Sequence, residues 1–136
     1  MRFIPFAILL AILLGITSCG GHSAHVKEQI SLNDGERWKV HDNMMIHISQ
    51  MSDDIRAAST DEAPDMDALH KKLKGGLKAL TSDCTMEGQA HDELHKWLVP
   101  FMNTVNGYDP QLGSEQKKLW LIKLQESVNE FSTYFK

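Results

Sequence analysis

Residues 84–97 read CTMEGQAHDELHKW. The stretch sets a thiol, a thioether and two imidazoles (Cys84, Met86, His91 and His95) within twelve residues. Thiolate and thioether are soft donors that select Cu(I), imidazole suits copper and zinc, and a histidine–methionine pair can hold haem iron. His91 and His95 stand four apart, the spacing that puts two side chains on one helix face. A second group, His41, Met44 and Met45, lies upstream. Each member also has a plainer role. A core histidine is more often hydrogen-bonded than metal-bound, methionine on an apolar stripe usually fills space, and Cys84 can be a small buried hydrophobe. The run HDELH looks like a zinc-protease helix. Its glutamate, Glu93, does not directly follow His91, which on a helix turns it about 100° from the place of a general base. There is no Cys-x-x-Cys-His for covalent haem, no serine nucleophile elbow and no glycine-rich phosphate loop. No enzyme is expected.

Donors this far apart in sequence meet only if the fold gathers them. From Gly35, Trp38, His41, Met45, Ile48, Ser52 and Ile55 recur at spacings of three and four, with Met44 and Met51 beside them; Asn33 or Asp34 could cap this helix. AASTDEAP (57–64) is loop by composition. Met66, Leu69, Leu73, Leu77, Leu80 and Cys84 form a second stripe, and Gly75-Gly76 within it either bends the helix or admits a close neighbour. Leu94, Leu98, Phe101 and Val105 form a third, flanked by Ala90, Trp97 and Met102. Pro100 predicts a kink or an early stop there. After the turn-rich NGYDPQLGS (106–114), Ser114 reads as an N-cap, and Trp120, Leu121, Leu124, Val128, Phe131 and Phe135 form the fourth stripe.

Four amphipathic helices with short connections predict an all-α fold, an antiparallel up-down four-helix bundle over residues 34–136. In that topology the starts of helices one and three and the ends of two and four share one pole. There His41, Cys84 and His91 face the core, with Met45 one turn higher, His95 on the flank, and Met44 and Met86 as secondary ligands. Copper or zinc is preferred over haem, because the stripes carry enough bulky side chains to fill the core.

The front of the 136-residue chain bears on location. One arginine precedes an uncharged apolar run from Phe3 to Ile16, too short for a membrane-spanning helix and typical of a secretory signal peptide. Ile16-Thr17-Ser18-Cys19 resembles the lipobox of bacterial lipoproteins. The resemblance implies cleavage before Cys19, acylation (palmitate among the chains) of that cysteine, and a stable anchor in a lipid membrane. Gly20 follows the cysteine where an aspartate would signal inner-membrane retention, which points to the outer membrane of a bacterial cell envelope. The chain then divides into a signal peptide (1–18), a lipidated N-terminus and tether (19–33) and the bundle (34–136). Cleavage would remove Arg2 and no acid, leaving 13 Lys and Arg against 18 Asp and Glu, a net −5. Mild acidity without a basic stripe argues against a nucleic-acid partner. With Cys19 acylated, Cys84 has no internal disulfide partner, so it is expected to be buried, liganded or joined to another molecule.

Two segments, Trp38-Lys-Val-His-Asp-Asn-Met-Met45 and Ala90-His-Asp-Glu-Leu-His-Lys-Trp-Leu98, are similar to paired segments in small helical lipoproteins of Gram-negative bacteria that carry the label "viral A-type inclusion protein". That group has methionines before the tryptophan of the second segment, where this chain has Leu94 and His95. The resemblance implies a lipoprotein and a helical bundle. The resulting expectation is an anchored envelope lipoprotein whose bundle is a non-enzymatic structural or protein-interaction module. Leu119 and Ile122, off the fourth stripe, offer an apolar patch to a protein partner; the alternative is metal binding at the shared pole.

Overall fold

A computed structural model describes residues 28–136; the signal peptide, Cys19 and the tether histidines His22 and His25 lie outside the described residues. Four helices carry the fold: α1 (Asp42–Thr60), α2 (Met66–Ser82), α3 (Gly88–Asn106) and α4 (Ser114–Tyr134). Each of α1 and α3 packs on both α2 and α4, which closes the four into a ring. Among the described residues, β-type pairing consists of isolated bridges, Asn33 with Glu36 and Trp38 with Phe135. None of these helices is long and apolar enough to cross a membrane.

The core follows helical spacing. Met44, Ile48, Met51 and Ile55 of α1 meet Leu69, Leu73, Leu77 and Leu80 of α2; Leu94, Trp97, Leu98, Phe101 and Val105 of α3 join Trp120, Leu121, Leu124, Val128 and Phe131 of α4. Fully burying each such side chain stabilises by about 1.5–3 kcal/mol. The tryptophans place their polar edges as well. Trp97 Nε1 donates to the Ser127 carbonyl and Trp120 Nε1 to the Thr104 carbonyl, each at 2.8 Å, so two buried indoles stitch α3 to α4. At α2, Asp65 caps the first turn by accepting from the Ala68 amide at 2.9 Å.

Several expectations are corrected. Helix α1 begins at Asp42, not near residue 35, so Asn33 and Asp34 cap nothing. Asp34 (φ 50°) and Gly35 (φ 89°) form a two-residue hairpin turn closed by mutual Asn33–Glu36 backbone bonds, as an Asp-Gly pair favours. Residues 30 and 31, within the stretch expected to be tether, touch the domain: Ile30 is only 4% exposed and Ser31 bonds to Glu93. Trp38 and Val40 are buried with Lys39 exposed between them, a period of two, and their backbones pair with residues 134–136. The N-cap of α4 is Gly113, not Ser114. Helix α3 does not stop at Pro100 but runs on to Asn106, where Phe101 and Val105 hold it in the core. Of the glycine pair, Gly76 is the close approach: a Cβ there would stand 2.6 Å from Met51 Cγ.

Candidate functional site at the α2–α3 loop

The link between α2 and α3 gathers the unusual side chains. Three consecutive residues, Asp83, Cys84 and Thr85, each receive an imidazole from a flanking element. His47 Nε2, from the second turn of α1, lies 2.7 Å from Asp83 Oδ2. His91 Nε2, from the first turn of α3, lies 3.4 Å from Cys84 Sγ. His41 Nδ1, at the N-cap of α1, lies 2.9 Å from Thr85 Oγ1. Asn43 Nδ2 adds a donation to the Asp83 carbonyl at 2.6 Å. His95, one turn beyond His91, sets its ring 4.3 Å from that of His91 in an edge-on contact. The loop is thus held by side chains from α1 on one side and α3 on the other.

The expected five-residue ligand set is not assembled. His41 is exposed, because the helix on which it was to face the core starts one residue after it. Cys84 is exposed as well, beyond the end of α2 and off its stripe. His91 is half-buried and His95 exposed. Met44 and Met86 are buried among apolar neighbours and Met45 packs against that cluster, which gives these thioethers a packing role. Among the described residues no group of three or more His, Cys, Asp or Glu side chains is disposed to hold a metal ion. What the fold does bring together is the pair Cys84–His91, with His95 adjoining. With zinc–sulfur near 2.3 Å and zinc–nitrogen near 2.05 Å, donors this far apart subtend about 100° at the metal, close to a tetrahedral angle.

Glu93 was passed over in the sequence except to dismiss a protease signature. It is 4% exposed in a bundle core that is otherwise almost wholly apolar. Its carboxylate accepts from the Ser31 amide (2.8 Å), the Ser31 hydroxyl (3.0 Å) and Lys96 Nζ (2.8 Å). Burial by itself would raise its pKa; the hydrogen bonds from Lys96 and Ser31 outweigh that and hold the carboxyl below its ordinary range. The available signal was Glu93 beside Leu94 at the start of an apolar stripe, with Lys96 three residues on.

At the loop after α3 a second polar group forms. Tyr108 is buried, donates its hydroxyl to Asp67 Oδ1, packs in tilted contacts on Trp120 (ring centroids 4.5 Å apart) and His70 (4.8 Å), and lies under Lys117 Nζ. Burial first, then the Asp67 carboxylate, pushes its phenol well above the ordinary value of 10. Leu119 (57% exposed) and Ile122 (44%) stand outward on α4. The chain matches no protein-family model, no curated protein and no solved structure.

Proposed function

We propose that this chain is a lipid-anchored lipoprotein of a bacterial cell envelope, outer membrane by preference, whose up-down helical bundle is a non-enzymatic structural or protein-interaction module. The observation that carries the anchor is the apolar run Phe3–Ile16, whose last residue opens the tetrad Ile16-Thr17-Ser18-Cys19. The up-down order is supported by neighbouring contacts: Asn43 with Asp83, Lys72 with Asp54 and Trp120 with Thr104 each pair an early position of one helix with a position late in, or just past, its neighbour. A role without catalysis is supported by the saturation of the buried polar groups. Among the described residues no buried side-chain nitrogen or oxygen lacks a partner, and Glu93 and Tyr108 are both spent on structural bonds. The outward Leu119 and Ile122 are the surface offered to a partner. The test is metabolic labelling with palmitate of the full chain in a Gram-negative host. Label in the wild type and none in Cys19→Ser, which accumulates as uncleaved precursor, is the expected pattern; an unlabelled wild type refutes the anchor.

A second reading is favoured by the Cys84–His91 separation of 3.4 Å. Thiolate and imidazole at a tetrahedral spacing, with His95 able to swing in as a third donor, would take Cu(I) or Zn at the surface of the α2–α3 loop. Titration of the reduced protein with each ion, against Cys84→Ser and His91→Ala, tests it. Affinity unchanged by both substitutions rules the site out.

A further inference from the structure

We propose that residues 28–37 are a releasable clasp, locked onto α3 by Glu93, that stores chain length between the domain and its upstream attachment. The attachment as a membrane anchor rests on the reading above; the clasp itself does not.

The observations divide the N-terminal segment sharply at Trp38. From Trp38 onward the chain is held as the core is held. Trp38 and Val40 are buried, and backbone bonds of 2.8 Å run from Trp38 N to the Tyr134 carbonyl, from Val40 N to the Lys136 carbonyl and from Lys136 N to the Trp38 carbonyl. Among the described residues before Trp38, Ile30 is the one buried and positions 31–37 are all exposed. The hold there is polar. Ser31 gives its amide and its hydroxyl to Glu93, and Lys96 Nζ bridges from Glu93 toward the Gln29 carbonyl at 3.4 Å. Trp38 Nε1 donates to the Ser31 carbonyl at 2.6 Å. At the turn, Arg37 reaches the Ser132 and Phe135 carbonyls at 3.4 and 3.5 Å, and Glu36 meets Lys136 at 3.3 Å, all exposed or half-exposed contacts.

A segment with one buried apolar side chain and solvent-accessible bonds belongs to the low-stability end of a fold and opens without the rest. The buried carboxylate makes the opening switch-like, since losing Ser31 removes two of its three partners together. Release of ten residues at about 3.3 Å each adds up to about 33 Å of reach, while the pairing of 38–40 with 134–136 stays shut. In an anchored protein this is a reserve of tether length, paid out under tension.

Native-state hydrogen exchange on the full processed chain in detergent micelles tests the clasp. The Ser31 and Asn33 amides and the Trp38 indole proton should exchange through one local opening, at least tenfold faster than the Leu94 and Leu124 amides. Glu93→Gln should raise that local rate by about tenfold or more, the size expected of weakened charge-assisted hydrogen bonds; the core amides, which exchange only from states in which the clasp is already open, should rise by no more than the same factor and stay slower than the clasp. Ser31→Pro removes both donors at an exposed position, and should raise exchange at Asn33 and the Trp38 indole in the same way. Exchange of the clasp together with the core in a single event, or variants that leave the clasp rate unchanged, would overturn the proposal. Absence of palmitate label with the local opening intact would overturn the anchor and leave the clasp standing.

Discussion

Gly75 and Gly76 are neighbours in the interior of α2 with opposite surroundings, and alanine at each should move stability in opposite directions. A Cβ at Gly75 meets nothing within 4 Å. Alanine there removes glycine's backbone freedom from the unfolded chain and gains about 1 kcal/mol of helix propensity. A domain of this size should gain about 4 °C or more in Tm. At Gly76 the same gain is opposed: the added carbon would stand 2.6 Å from Met51 Cγ and 2.7 Å from Sδ. Those atoms are mid-chain, and Met51 is 2% exposed, so it has no open side to retreat to. Overpacking of this kind costs about 1–3 kcal/mol, which leaves Gly76→Ala between neutral and about 2 kcal/mol destabilised. Urea unfolding with unchanged m-values measures both. A cycle with Met51→Ala isolates the cause. That substitution alone costs about 2–5 kcal/mol as a cavity, but in its background Gly76→Ala should recover the full propensity gain, a coupling of about 1–3 kcal/mol. Equal stabilisation by both alanines, with an additive cycle, would refute the close approach of α1 to α2 at this level.

Tyr108→Phe should destabilise by about 1–2 kcal/mol in urea unfolding, because it deletes a hydrogen bond to the Asp67 carboxylate while keeping the ring. An alkaline absorbance titration of wild type minus Tyr108→Phe should show this phenol ionising well above 10, as burial and Asp67 require. Glu93 is held below its unfolded value of 4.5, so its contribution is complete above that pH and is lost as pH falls through the lower folded value. The stability difference between wild type and Glu93→Gln should therefore be constant near neutrality and shrink on acidification; a difference that grows toward acid would reverse the sign. In metal titration, Cys84→Ser and His91→Ala should each weaken Cu(I) or Zn binding at least tenfold, whereas His41→Ala should leave it unchanged, since His41 is bonded to Thr85.

Three of the four helices were legible because their stripes are long, capped by loops of clear composition, and free of competing periods. Leu69-Leu73-Leu77-Leu80 admits one reading, and so does Trp120-Leu124-Val128-Phe131. The first helix was misphased for a specific reason. Trp38 and Val40 are apolar at a spacing of two, but Trp38 also stands three residues before His41, so a strand-like segment could be absorbed into a helical stripe. That error carried His41 and Met45 into the imagined core in place of Met44 and Met51, and with them the ligand set. The meeting of His91 with Cys84 needed only the short loop between them, and it was readable. The bonding of Ser31 to Glu93 spans 62 positions and leaves no periodic trace. Single polar residues that reach across a fold are recognised by what they leave satisfied, and that is a property of coordinates.

The parallel pairing of residues 38–40 with 134–136 brings the incoming and outgoing backbone side by side at the Thr85 end of the molecule. Any cargo fused after Lys136 would consequently emerge beside Val40, at the head of α1, and crowd the side chains gathered around the α2–α3 loop. A reporter grafted between Tyr108 and Gly113 would sit about 28 Å away, the length of α3, and would project in the opposite direction.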